Sequence, residues 1–123
     1  MYETYALYYS MLMDVSEVLK ALADPNRLRI LNLLHDQTLC VCDIEAILEL
    51  NQSNLSRHLS KLKQAGIVKA HKQALFTYYS RATLPAPYGS IVDDLCKTIH
   101  EDPIWETDRM RLKKRLRLGT NRC

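Results

Sequence analysis

Cys40 and Cys42 stand one residue apart, directly ahead of a segment from Asn51 to Gln64 that is rich in small polar side chains and cations. Thiolates are soft donors, suited to soft metal and metalloid centres. Small polar side chains and cations at a helix start suit DNA, where they reach phosphates and base edges. A protein that senses a soft ligand by changing its grip on DNA would need these two chemistries side by side. Residues two apart on a regular helix point about 200° away from each other. Cys40 and Cys42 can therefore share one ion only if Cys40 stays in the preceding loop and Cys42 alone has entered the helix. Unpaired N–H groups at a helix start would favour thiolate over thiol there. The alternative is two small buried apolar residues, a common fate of cysteine. A third thiolate could come from Cys96 or Cys123, in the same or another subunit, although Cys96 reads better as core packing. Four cysteines in a cytosolic chain are reduced thiols, ligands or redox sensors rather than a disulfide framework.

The polar segment carries its own order. Leu55, Leu59 and Leu62 form one apolar stripe, and Asn54, Ser56, Arg57, Ser60, Lys61 and Gln64 fall outside it. Capping a helix needs one polar residue, and Asn51 to Ser56 supplies five. The net charge of +3 conceals a pattern: residues 50–92 hold Arg57, Lys61, Lys63, Lys69, Lys72 and Arg81 without a single acid, while residues 1–49 are net acidic. A surface facing phosphates requires such a stretch, although a solvated basic face would look the same.

The elements that position these residues follow from periodicity and caps. Tyr8, Met11, Val15, Val18 and Leu22 mark an amphipathic first helix. Asp24-Pro25 caps and starts a second, which carries Leu28, Leu31, Leu33 and Leu34 and ends near His35-Asp36. A short third helix is expected from about Val41 to Leu50, and a fourth from the Asn51 cap to a stop at Gly66. Residues 67–70 and 75–79 read as two strands joined by a turn over residues 71–74. A fifth helix is expected over residues 88–101 with Ile91, Leu95 and Ile99 inward, and His35, His71 and His100 read as isolated surface or cap residues. Asp102-Pro103 opens a basic tail, whose early acids and late cations match a helix dipole; it reads first as a solvated helix, with a dimer extension or an extra DNA contact as alternatives. The fold class is mainly α with a small β-hairpin, a winged helix-turn-helix over residues 1–102 with a helical extension over 103–123.

At 123 residues, one domain is expected, with help from a partner subunit to complete a small core. No apolar run is long enough to span a bilayer. The first lysine is Lys20, so no basic region precedes an apolar block, and a cytoplasmic location without a membrane partner is expected. No Ser-His-Asp order, phosphate loop or histidine linked to the thiol pair points to an enzyme.

The segments ALADPNRLRILNLL, LCVCDI, QSNLSRHLSKLKQAGIV and FTYYS, in this order over about residues 15–100, resemble the arsenic-repressor (ArsR/SmtB) family of metal- and metalloid-responsive repressors. The resemblance implies a homodimer that pairs its first and last helices, here about Tyr5–Ala23 and Tyr88–Glu101, and binds an inverted-repeat operator. It implies that Gln52, Ser53, Asn54, Ser56, Arg57 and His58 face double-stranded DNA, with Lys61 beside them, and that Lys69, Lys72 and Gln73 belong to the wing. It also implies a cytoplasmic repressor released by arsenite or antimonite on Cys40 and Cys42, with cadmium, lead or zinc ions as alternatives and no organic cofactor. Oxidation of the same cysteines is a further alternative. The family's third cysteine position is Glu45 here, a hard donor poorly suited to a soft centre. The zinc-sensing branches use a His-and-carboxylate set on the last helix; Asp93, Asp94, His100 and Glu101 supply the residue types but not a matching spacing.

Overall fold

The computed structural model describes residues 15–119. Helix α1 occupies residues 15–22 of this range, with Val18, Ala21 and Leu22 buried. Tyr8 and Met11, the earlier members of the expected stripe, lie outside the described residues. Helix α2 (Pro25–Leu33) begins where the Asp24 carboxylate accepts hydrogen bonds from the Asn26 and Arg27 backbone N–H groups at 2.8 and 3.2 Å. Helix α3 (Val41–Leu48) stops two residues short of the expected end, because Glu49 takes a left-handed backbone with φ 56°. Helix α4 (Gln52–Gln64) starts from Asn51, whose side chain accepts from the Asn54 N–H at 2.8 Å. It ends at Gly66, whose φ of 76° suits a residue without a Cβ; a Cβ there would also press within 3.3 Å of Leu84.

Three antiparallel strands in the order β1-β3-β2 flank these helices. Strands β2 (Val68–Gln73) and β3 (Phe76–Arg81) pair from Val68↔Arg81 to Gln73↔Phe76, so the turn is Ala74-Leu75. The expected turn over residues 71–74 is corrected: the ladder continues through His71, Lys72 and Gln73, and Ala74 makes the reversal with φ 57°. Strand β1 (Leu39–Cys40) is only two residues long, too short for a periodic signal in sequence. It pairs Leu39↔Tyr79 and Cys40↔Tyr78.

Helix α5 (Tyr88–Glu101) matches its expected span, but its buried face is Tyr88, Val92, Cys96 and Ile99. Ile91 is 48 % exposed and Leu95 half-buried, so the expected inward stripe is rotated. A 3-10 turn (Pro103–Trp105) capped by Asp102 leads into α6 (Glu106–Leu116). The tail is not the solvated extension expected from its charge. Leu112 and Leu116 pack against the core, and Asp108 is buried. The single core cluster joins α1 to α5 with Leu39, Ile67 and Val68 beside the sheet. No helix among the described residues is long and apolar enough to cross a membrane.

Candidate metal centre and nucleic-acid interface

Cys40 sits at the junction of β1 and α3, with φ −68° and ψ 149°. Its backbone is extended and held by the Tyr78 pairing, while Cys42 is the second residue of the helix. This break in regularity turns both side chains to one side, and the two sulfurs lie 3.0 Å apart. Two thiolates about 2.3 Å from a shared ion can stand up to roughly 4.6 Å apart, so the pair is within chelating distance. Cys40 is a buried, reduced thiol, whereas Cys42 is half-buried and disulfide-bonded in this structure, so capture of one ion by both sulfurs requires that bond to be reduced first. Glu45, one turn on from Cys42, is half-buried. Cys96 is 1 % exposed among the apolar residues of the core, and burial pushes its thiol up, so it behaves as a packed apolar residue. Cys123 lies outside the described residues.

The outward face of α4 carries Gln52, Ser53, Ser56, Arg57, Ser60 and Lys61, all exposed. Asn54 is half-buried, and its side-chain oxygen accepts from the Arg57 guanidinium at 3.1 Å, which orients that cation along the helix. Lys69, Lys72 and Gln73 are exposed on β2. The face is less uniformly cationic than the acid-free stretch implies, because Asp93 of α5 pairs with Arg81 at 2.7 Å. Arg57, Lys61, Lys63, Lys69 and Lys72 are exposed, and no ion pair holds them among the described residues.

His58, expected to face DNA, is turned inward and only 4 % exposed. It stands three residues after Leu55 and four before Leu62, on the buried stripe of α4. The Arg27 guanidinium reaches its Nδ1 at 3.3 Å, and Asp24 lies 3.9 Å away. The spacing carried this signal in sequence, but the polar side chain masked it.

The profile described as bacterial regulatory protein, arsR family, matches residues 24–70, which run from the cap of α2 into β2. An uncharacterized HTH-type transcriptional regulator of Methanocaldococcus jannaschii, MJ1325, is 42% identical over 85 residues, covering 68% of this chain and 84% of that protein. The chain belongs to the arsR family of bacterial regulatory proteins. The cadmium resistance transcriptional regulatory protein CadC of Listeria innocua is 44% identical over 67 residues, 54% of this chain. The chain spans only 56% of that relative's length. A solution structure of the homodimeric winged helix-turn-helix DNA-binding domain Mb0332 from Mycobacterium bovis superposes with a TM-score of 0.64 at 27% identity, covering 80% of this chain and 89% of that one. The fold is a winged helix-turn-helix: α3 and α4 are the paired helices, and β2 and β3 the wing.

Four groupings in this arsR-family regulator escaped sequence reasoning. Arg29 forms a bidentate pair with buried Asp108 at 2.8 and 3.0 Å. Arg115 reaches fully buried Asp43 at 3.0 Å. His35 and His100, read as isolated, stack with ring centroids 4.3 Å apart, and His71 stacks on Tyr78 across the wing.

The His58 environment sets a pH dependence. Burial holds the imidazole below its ordinary range; Asp24 opposes this, but Arg27, Arg57 and Lys61 reinforce it. For Asp24, burial raises the carboxyl, but the Arg27 and Asn26 N–H groups, with His58 and Arg27, outweigh it and hold it low. In both cases the unfolded chain binds protons more readily, so folding stability rises with pH through each window. His58 costs stability as pH falls below about 6.5, and Asp24 extends the loss below about 4. Denaturant melts from pH 7.5 to 5 should show this decline for the native chain and a shallower one for His58→Gln. Equal slopes would show that His58 is not kept neutral by its site.

Proposed function

We propose that the protein is a cytoplasmic, non-enzymatic transcriptional repressor, working as a homodimer on an inverted-repeat operator and released when arsenite or antimonite is bound by Cys40 and Cys42. The observation that carries this reading is the sulfur pair 3.0 Å apart at the start of α3, one turn-and-helix away from the polar face of α4. Two thiolates about 2.3 Å from one tetrahedral ion stand about 3.8 Å apart, so ligation spreads the Cys40–Cys42 pair from 3.0 Å and loads the β1–α3 junction. That strain reaches α4 through a short connection, residues 49–51. By linkage, a ligand that weakens the hold on DNA must itself bind less tightly to the DNA-bound form, and a coupling of about 1–3 kcal/mol is typical of such switches. The partly exposed Ile91 and Leu95 of α5 support dimerisation through that helix, as does the homodimeric Mb0332 fold.

The third thiolate is best supplied by Cys123. Helix α6 lies along α3, with Arg111 donating to the Ile47 carbonyl at 3.3 Å and Arg115 pairing with Asp43, the neighbour of Cys42. The tail beyond Arg115, at about 3.3 Å per residue, is long enough to reach the thiol pair. Cadmium, lead and zinc are the alternative ligands for the same thiols, and the CadC relative's name favours keeping cadmium among them.

Changing Cys40 and Cys42 together to Ser should leave operator affinity within about twofold, since neither faces α4's outer surface, and abolish release by arsenite. A fluorescence-anisotropy titration of operator DNA checks both. Release by arsenite from the double-Ser protein would reject the thiol site. The proximity of the sulfurs also favours a second reading, oxidation to a disulfide as the trigger. Thiol counts after peroxide and after arsenite, each beside the release assay, separate the two.

A further inference from the structure

A second cluster of ligating side chains lies apart from the thiols, where the end of α2 meets the end of α5. His35 follows the Leu34 cap of α2, and His100 occupies the last turn of α5. Their rings stack at 17° with centroids 4.3 Å apart. The Nδ1 atoms of both rings are buried and have no hydrogen-bond partner. The exposed Asp36 carboxylate lies 3.7 Å from His35 Nε2. One donor atom from each of the three groups lies within 4.8 Å of the others. Buried polar atoms are nearly always hydrogen-bonded, and two orphaned imidazole nitrogens in one place call for an explanation. Asn32, one turn before His35 on the same side of α2, adds a buried side-chain amide that is also unpartnered.

We propose that His35, His100 and Asp36 form a second ligand site, for a borderline divalent cation such as zinc, cobalt or nickel. Two imidazole nitrogens and one carboxylate oxygen suit such ions, whereas the thiol pair suits soft centres. Three donors about 2.1 Å from a tetrahedral ion stand about 3.4 Å apart, so only a small contraction of the cluster is needed. Each lone pair lies in its ring plane, and two planes only 17° apart do not meet at a nearby point that one ion could occupy. Binding therefore opens the stack by turning each imidazole about its Cβ–Cγ bond, and the His35 side chain, 22 % exposed, has room to turn. Only His100 comes from α5; His35 and Asp36 come from the loop after α2, so the site is complete within one protomer. The bound ion ties the last turn of α5 to the end of α2 and stabilises the folded chain by mass action. This site does not depend on the thiol reading.

The test uses the full chain carrying Cys40→Ser and Cys42→Ser, titrated with cobalt(II) and followed by visible absorption. The expected result is stoichiometric binding with tetrahedral ligand-field bands, no sulfur-to-cobalt charge-transfer band, displacement by zinc and a zinc-dependent rise in melting temperature. Adding His100→Gln should lower cobalt affinity by at least about tenfold. Adding Asp36→Asn, at an exposed position that packing does not constrain, should also lower it and stands in if the histidine variant does not fold. Absence of cobalt binding, a sulfur band, or unchanged affinity in the Asp36→Asn or His100→Gln protein overturns the proposal. Success or failure here leaves the thiol-gated reading untouched, because the thiol pair is absent from every protein tested.

Discussion

Arg29→Ala should destabilise the fold by about 3–5 kcal/mol, the cost of stranding a buried carboxylate. Asp108 is 5% exposed, and both of its oxygens accept from the Arg29 guanidinium. Arg29 also donates to the Leu48 carbonyl and the Asn26 side chain, at 3.3 Å each, so one cation joins α2, α3 and α6. The hydrogen bond with Asp108 raises the guanidinium further above its ordinary value, so the cation is never lost near neutrality. Two variants separate the contributions. Asp108→Asn keeps the shape and removes the anion, leaving a cation that water can still reach. Arg29→Leu with Asp108→Leu replaces the pair by apolar volume and should recover much of the loss, because a buried pair often contributes little net stability against an apolar substitute. Urea melts at fixed protein concentration check all three, since the proposed homodimer would make stability concentration-dependent. A loss under about 1 kcal/mol for Arg29→Ala would mean that α6 is not docked on the helix-turn-helix in solution.

Operator affinity should fall steeply with salt. If Arg57, Lys61, Lys69 and Lys72 each meet a phosphate in both half-sites, a dimer makes about eight contacts, and the slope of log affinity against log salt is about −7. Between about 50 and 200 mM salt this corresponds to roughly four orders of magnitude in affinity. Arg57→Ala removes one contact per half-site, so it should weaken binding and reduce the slope by about 1.8. Arg81→Ala should leave the slope nearly unchanged, because Asp93 already pairs with that cation. Anisotropy titrations over a salt series measure all three proteins. A slope near zero, or an equal change for Arg57 and Arg81, would exclude the α4-and-wing surface as the phosphate-facing one.

The contrast between Arg57 and Arg81 shows where sequence reading reached its limit. Both belong to the same acid-free stretch, yet only one keeps its charge available, because the neutralising Asp93 arrives from α5 across 12 positions of sequence. The Cys40–Cys42 geometry was legible in outline: helix periodicity requires one of the pair to lie outside the helix, and the extended backbone of Cys40 meets that condition. What holds Cys40 there, a two-residue strand paired with Tyr78, was not legible, since two residues carry no period. On α5 the apolar residues permit two adjacent stripes; the core took Val92 and Cys96, and left Ile91 outside.

Caps and the stop of α4 were determined by the sequence alone, because each depends on neighbours within one or two turns: Asp24-Pro25, Asn51 and Gly66 mark their helices through local hydrogen bonds and backbone preference. The family, too, was legible from local segments in order. Only the tertiary structure decided the phase of α5, the docking of α6 through Arg29–Asp108 and Arg115–Asp43, and the meeting of His35 with His100. The two ion pairs join residues 79 and 72 positions apart. Charge and imidazole groups act through distance in space, and no local pattern encodes which distant partner the packed helices will bring within reach.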